Sequence, residues 1–105
     1  RELLASLSPG GAAVISRGKD GAVLACEEGV FLGVSPKVEV KSTVGAGDSM
    51  IGSMLSRVVD GDSWPGAFRW GLAAGAATAT TDGTKIARRS VVEILWDKAT
   101  VERLD

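Results

Sequence analysis

Along this 105-residue chain the spacing of hydrophobic positions changes at Asp48. Before it, apolar residues come in short runs. "AAVIS", Ala12 to Ser16, carries the β-branched pair Val14-Ile15 and predicts a buried strand. Ala22 to Cys26 and Val30 to Val34 predict two further strands around "EEG". "VSPKVEVK" alternates weakly and is expected to be extended, because Pro36 excludes helix there. Glu2 to Leu7 reads as the tail of a helix that "SPGG" ends. From Asp48 onward, Met50, Ile51, Met54, Leu55 and Val58 recur at helical spacing, with Ser49, Ser53, Ser56 and Arg57 on the other side. A second helix is predicted from about Gly66 to Thr80, capped by Ser63 or Asp62, with Pro65 in its first turn and "TDGTK" as its stop. Ser90 to Lys98 predicts a last amphipathic helix, and "ATVERL" a closing strand. No repeat, linker or low-complexity tract interrupts the pattern, so one α/β domain is expected.

Composition narrows the chemistry. Hydrophobic residues make up 45% of the chain, enough for a packed core. The formal net charge of −1 gives no basic excess, so neither nucleic acid nor an anionic membrane is expected as a partner. No run of 18 apolar residues occurs and the start lacks a signal-peptide layout, so no membrane span is expected. Cys26 stands alone and cannot form an internal disulfide, which suits a reducing, cytoplasmic setting. Histidine is absent, which rules out Ser-His-Asp, Cys-His and His-containing zinc chemistry within these residues. Carboxylates, Lys or Arg, hydroxyls and backbone groups are what remain.

Attention therefore falls on "VKSTVGAGDSMIGSML", Val40 to Leu55. A helix that starts at Gly45 to Asp48 presents unpaired N–H groups and about half a positive charge. Gly45-Ala46-Gly47 leaves the approach open to an anion such as phosphate. Asp48, in the same turn, would take a proton from an acceptor hydroxyl while the amides stabilise charge on a transferring phosphoryl group. The same residue types also occur as plain turn chemistry, with Asp as an ordinary helix opener. A Walker A loop is absent, and the dinucleotide pattern G-x-G-x-x-G would require glycine where Met50 stands.

The longer string is more specific. "STVGAGDSM" resembles the D-T-x-G-A-G-D signature of the PfkB (ribokinase-like) family of carbohydrate kinases, and the ending "TVGAGDSM" is closest to its phosphofructokinase branch. "SRGKDGA" is similar to the family's S/T-L-G-x-x-G-A turn, and "WGLAAGAATATTDGTK" to its Ala/Gly-rich helix and following loop. The resemblance implies an α/β fold, the C-terminal portion of a ribokinase-like three-layer α/β/α architecture. It makes Asp48 the catalytic base and the amides of Gly45, Ala46 and Gly47 an anion hole at the γ-phosphate. Ser16, Arg17, Gly18, Lys19 and Gly21 would approach the nucleotide, and Leu72 and Ala76 would line its adenine. It also implies a monovalent cation such as K+, held mainly by backbone oxygens near Ser42, Val44, Thr78, Thr81, Gly83 and Lys85. ATP and Mg2+ are the expected cofactors.

Three departures stand out: Ser42 replaces a common Asp, Arg17 stands where Leu is usual, and Lys85 replaces Arg. Arg17 and Lys19 either touch phosphate or lie in solvent. The sugar site and the Asn-x-x-x-Glu motif associated with magnesium lie elsewhere in the family, and this sequence contains no Asn. Residues 1–105 are therefore expected to be the C-terminal nucleotide-binding part of a kinase for a sugar phosphate, with a homodimeric parent. Fructose-6-phosphate or fructose-1-phosphate leads, with tagatose-6-phosphate or a ribose-type sugar also within the family. From another class, a non-catalytic nucleotide-binding regulatory module fits a chain without a sugar site, although it would have no need of Asp48.

For the other residues, packing is the expected role. Cys26 closes an apolar strand, and Trp64, Trp70 and Trp96 are too scattered for an aromatic cage. Asp60 and Asp62 lack the spacing and closing Glu of a calcium loop. The small residues from Ala73 to Ala79 serve close helix packing unless they form a nucleotide wall.

Overall fold

The computed structural model describes residues 2–7, 11–16, 21–41, 45–81 and 89–104. Eight elements follow in chain order: β1 (Glu2–Leu7), β2 (Ala12–Ser16), β3 (Ala22–Cys26), β4 (Gly29–Val34), α1 (Ala46–Val59), α2 (Trp64–Ala79), α3 (Arg89–Trp96) and β5 (Thr100–Arg103). The strands form one sheet in the order β1-β2-β3-β4-β5, each pair antiparallel. The element types expected from the sequence are found, with one exception. Glu2–Leu7 is a strand paired with β2, not the tail of a helix. Pairing satisfies the open edge of β2.

Alternation along the strands sorts the sheet into two faces. Val14, Leu24 and Phe31 share one register row and point to the helices, as do Ala22 and Gly33. Ala13, Ile15, Val23, Ala25, Val30 and Leu32 point the other way and are half-buried. On the helix side Phe68 and Leu72 of α2 fill the space over β4, both nearly without exposure. Burial of a side chain like Phe68 contributes roughly 1.5–3 kcal/mol. The approach depends on Gly33, because a Cβ there would stand 2.5 Å from Leu72 Cδ1 and from Phe68 Cε2.

The two long helices run antiparallel through a short turn. Gly61, at φ +100°, reverses the chain, and Ser63 then caps α2 by accepting from the Gly66 N–H at 3.2 Å. Asp62 accepts from the Ser63 N–H at 2.9 Å and from Arg57 Nε at 3.2 Å. Its role is to hold the turn. The tryptophans pack as anchors: Trp64 is buried, Arg57 and Arg89 lie over Trp70, and Arg69 stacks on Trp96 at 4.1 Å. Arg69 Nε also donates to the carbonyls of Trp96 and Ala99, tying α2 to the turn before β5.

Helices α1 and α2 meet through glycine. A Cβ at Gly71 would lie 2.5 Å from Met54 Cγ and 2.8 Å from the Met50 carbonyl oxygen. Four residues on, a Cβ at Gly75 would lie 3.2 Å from the Ala46 carbonyl oxygen. Met50 and Met54 are buried against this strip, with Ala73, Ala74 and Ala77 beside it. The small residues of α2 thus give close helix packing. We expect Gly71→Ala to destabilise the intact protein by about 1–3 kcal/mol, the usual cost of overpacking. Gly52→Ala on α1, where a Cβ meets nothing within 4 Å, should be neutral or stabilising. Urea unfolding of both variants checks the pair, and equal midpoints would refute the close contact.

Candidate functional site

Two helix starts in this chain are built differently. In α2 the Ser63 hydroxyl closes the first turn. In α1 the N-cap is Gly45, at φ 78° and ψ −6°, and no side chain caps the helix. That left-handed geometry favours glycine, which has no Cβ to clash. The first intrahelical bond, Ser49 N–H to the Gly45 carbonyl, measures 2.8 Å. The amides of Ala46, Gly47 and Asp48 precede it and have no helical acceptor. Gly47 is exposed, and a Cβ on it would meet nothing within 4 Å. Asp48 is exposed in the same turn. No described residue donates a hydrogen bond to its carboxylate.

The C-terminal end of α2 lies beside this opening. Thr78 Oγ1 donates to Ser49 Oγ at 2.9 Å, and a Cβ at Gly45 would stand 4.0 Å from Thr78 Cγ2. Lys41 N–H donates to the Ala79 carbonyl at 2.8 Å, which brings the chain just before residues 42–44 to the same end. The positive end of one helix and the carbonyl end of the other are therefore neighbours. An anion is favoured at the first and a cation at the second.

The site residues expected from the sequence divide into three groups. Gly45, Ala46, Gly47, Asp48, Thr78 and Thr81 are gathered around the two helix ends. Leu72 and Ala76 lie further along α2: Leu72 is 2% exposed against the sheet, and Ala76 is buried in the cluster that includes Val92 and Leu95 of α3. Gly21 precedes β3 at φ +101°, where a Cβ would collide with the Gly33 carbonyl, so the sheet itself requires this glycine. The third group, Arg17, Gly18, Lys19, Ser42, Val44, Gly83 and Lys85, lies outside the described residues, while Ser16 ends β2.

Two details were not foreseen. Ser49, placed on the outer face by its polarity, turns inward to α2. The Thr78 carbonyl accepts from both the N–H and the hydroxyl of Thr81, at 3.0 and 2.8 Å, and the Thr78 hydroxyl turns to Ser49. Thr78 thus enters the site through its side chain. Thr78 was expected from the sequence near a cation, and its hydroxyl contact with Ser49 had no signal there. A shallow cavity of about 550 Å³ lies at the other end of α2, lined by residues including Pro65, Arg69 and Arg103, well away from Asp48.

Fold and helix end together define an α/β chain with an open seat for a phosphate-sized anion and a carboxylate within its first turn. The chain belongs to the pfkB family of carbohydrate kinases, whose pattern it matches over residues 2–90. It is 40% identical over 73 residues to the ATP-dependent 6-phosphofructokinase isozyme 2 of Escherichia coli K12, covering 70% of this chain and 24% of that protein. It is also 40% identical over 67 residues to a 1-phosphofructokinase of Borreliella burgdorferi, covering 63% of this chain and 22% of that one. A crystal structure of phosphofructokinase-2 from Escherichia coli in complex with potassium superposes with a TM-score of 0.73. There the identity is 34%, over 80% of this chain and 27% of the other. The chain thus spans about a quarter of the length of the curated relatives it matches, and its α/β fold is that of the ribokinase-like kinases.

The open helix end sets a specific expectation for Gly47. Its φ is not positive, so a side chain there strains nothing in the protein. Gly47→Ala should leave thermal stability unchanged or slightly raised, yet lower turnover or weaken ATP binding several-fold by crowding the anion. Thermal melts and ATP kinetics on the same preparation check this, and normal ATP kinetics would show that no phosphate sits over the turn.

Proposed function

We propose that residues 1–105 form the C-terminal nucleotide-binding part of an ATP-dependent kinase for a sugar phosphate, of the phosphofructokinase kind. The observation that carries this reading is the uncapped first turn of α1 with Asp48 exposed inside it. The two relatives, which act at different positions of fructose phosphates by their names, support the substrate class and leave the position open.

In this reading the amides from Gly45 to Gly47 form the anion hole, and the Asp48 carboxylate accepts the proton of the acceptor hydroxyl. The hydroxyl oxygen then bonds to the γ-phosphorus as the bond to the β–γ bridging oxygen breaks, and ADP leaves. The helix amides, already aimed outward, stabilise the charge spread over the transferring group without reorganisation. Ser16 to Gly21 would meet the nucleotide, and the wall around Leu72 and Ala76 would shape its adenine end. No group of three acidic or thiol ligands that could hold a metal occurs among the described residues. Mg2+, which neutralises phosphate charge, is therefore assigned to the nucleotide and to residues elsewhere. A monovalent cation suits the carbonyl end of α2, near Ser42, Val44, Thr78, Thr81, Gly83 and Lys85, and the potassium complex of the solved relative supports that choice.

The lone thiol Cys26 agrees with a cytoplasmic setting, and no helix among the described residues is long and apolar enough to cross a membrane. A homodimeric parent completes the reading, and sizing of the intact protein tests it.

Asp48→Asn in the intact protein should lower kcat at least about a hundredfold, as expected for loss of a general base. ATP should still bind, because the helix amides remain. Coupled assays with fructose-6-phosphate and fructose-1-phosphate, in potassium and in a large organic cation, measure both the base and the cation. Wild-type turnover in Asp48→Asn removes Asp48 from the mechanism, and equal rates in the two salts remove the cation.

A further inference from the structure

We propose that the hydroxyl pair Thr78–Ser49 is the positioning contact that aims the first turn of α1, and with it Asp48 and the open amides. This rests on the kinase reading above and adds Ser49 and the side chain of Thr78 to it.

A helix start without a cap has nothing of its own to fix its first turn, and such ends fray. In α1 no side chain caps the turn, since an anion seat requires it open. Stiffness must come from outside. Among the described residues, α2 meets this turn at Gly75 and at Thr78. Gly75 lets its backbone lie close to the Ala46 carbonyl, a contact that sets distance but not rotation. Rotation about the helix axis is set by a directional bond. Thr78 Oγ1 donates to Ser49 Oγ at 2.9 Å, and Ser49 Oγ donates onward to the Ala74 carbonyl at 3.5 Å.

The placement of the pair fits that role. Thr78, 7% exposed, is the buried polar residue of the described core, and its hydroxyl is spent on Ser49 rather than on its own helix. Ser49 follows Asp48 directly, about 100° further round the helix at 3.6 residues per turn. Fixing Ser49 inward thus fixes Asp48 outward. Thr80 and Thr81, by contrast, return their hydroxyls to carbonyls of α2 itself, at 2.6 and 2.8 Å. The Thr78 hydroxyl instead crosses to α1 and ties the two helices together.

The experiment uses the intact protein with Ser49→Ala, Thr78→Val, Thr78→Ser and the double variant Ser49→Ala/Thr78→Val. Thr78→Val keeps the shape and removes the hydroxyl, whereas Thr78→Ser keeps the hydroxyl. Misplacement of a base by about 1 Å can cost as much as a hundredfold, so a loosened turn should lower kcat by about tenfold or more. KM for the sugar phosphate should stay within twofold. Thr78→Ser should restore most of the rate, and the double variant should be no slower than the slower single one.

A second measurement needs no turnover. Exchange of the backbone amide hydrogen at position 49, which closes the first turn on Gly45, should quicken at least fivefold in Ser49→Ala and Thr78→Val relative to each residue's intrinsic rate. If the unmodified protein phosphorylates no sugar phosphate, the kinase reading fails and exchange alone decides the positioning claim. If it does turn over, kcat within twofold of wild type in Ser49→Ala and Thr78→Val overturns the proposal. So does a Thr78→Ser rate as low as that of Thr78→Val, and so does unchanged exchange at position 49.

Discussion

The near-contact of α1 with α2 governs the rest of this structure. Gly71 and Gly75 remove two side chains from the facing surface of α2, and Met50 and the Ala46 carbonyl occupy the space. Because the helices are antiparallel and joined by a short turn, this contact brings the start of α1 beside the end of α2. One helix start is thereby left open yet supported from the side. The same closeness brings a region that favours anions next to one that favours cations.

The sheet serves this arrangement from below. Gly33 lets Phe68 and Leu72 press onto β4, which sets the height of α2 above the strands. Gly21 in turn lets the entry to β3 pass close to Gly33. Small residues thus recur where backbone or helix must approach closely: β3 to β4, β4 to α2, and α2 to α1. Each contact limits the next. The position of the α1 start follows from packing that begins in the sheet.

Much of this was legible in the sequence because period and punctuation agreed. The strands Ala12–Ser16 and Ala22–Cys26 and the Ser63-capped helix came from local rules that packing reinforced. Glu2–Leu7 was misread because its composition suits helix, while the open edge of β2, a property of the assembled sheet, decides its state. The open turn at Gly45–Asp48 was legible because glycine and alanine have no side-chain acceptor to close a first turn. The Ser49–Thr78 contact was not, since a hydroxyl on a helix reads as solvent-facing until the neighbouring helix is in place. Leu72 as part of an adenine wall came from resemblance alone, and its surroundings in the structure are those of a core residue.

The central claim is that the uncapped amides of α1 receive the terminal phosphate of a nucleotide. Amide chemical shifts of the intact, 15N-labelled protein, titrated with a non-hydrolysable ATP analogue and then with adenosine, test it most directly. The account predicts that the analogue shifts the amides from Gly45 to Asp48 and that adenosine, which lacks phosphate, leaves them in place. Saturable analogue binding that leaves the amides from Gly45 to Asp48 unshifted would contradict it.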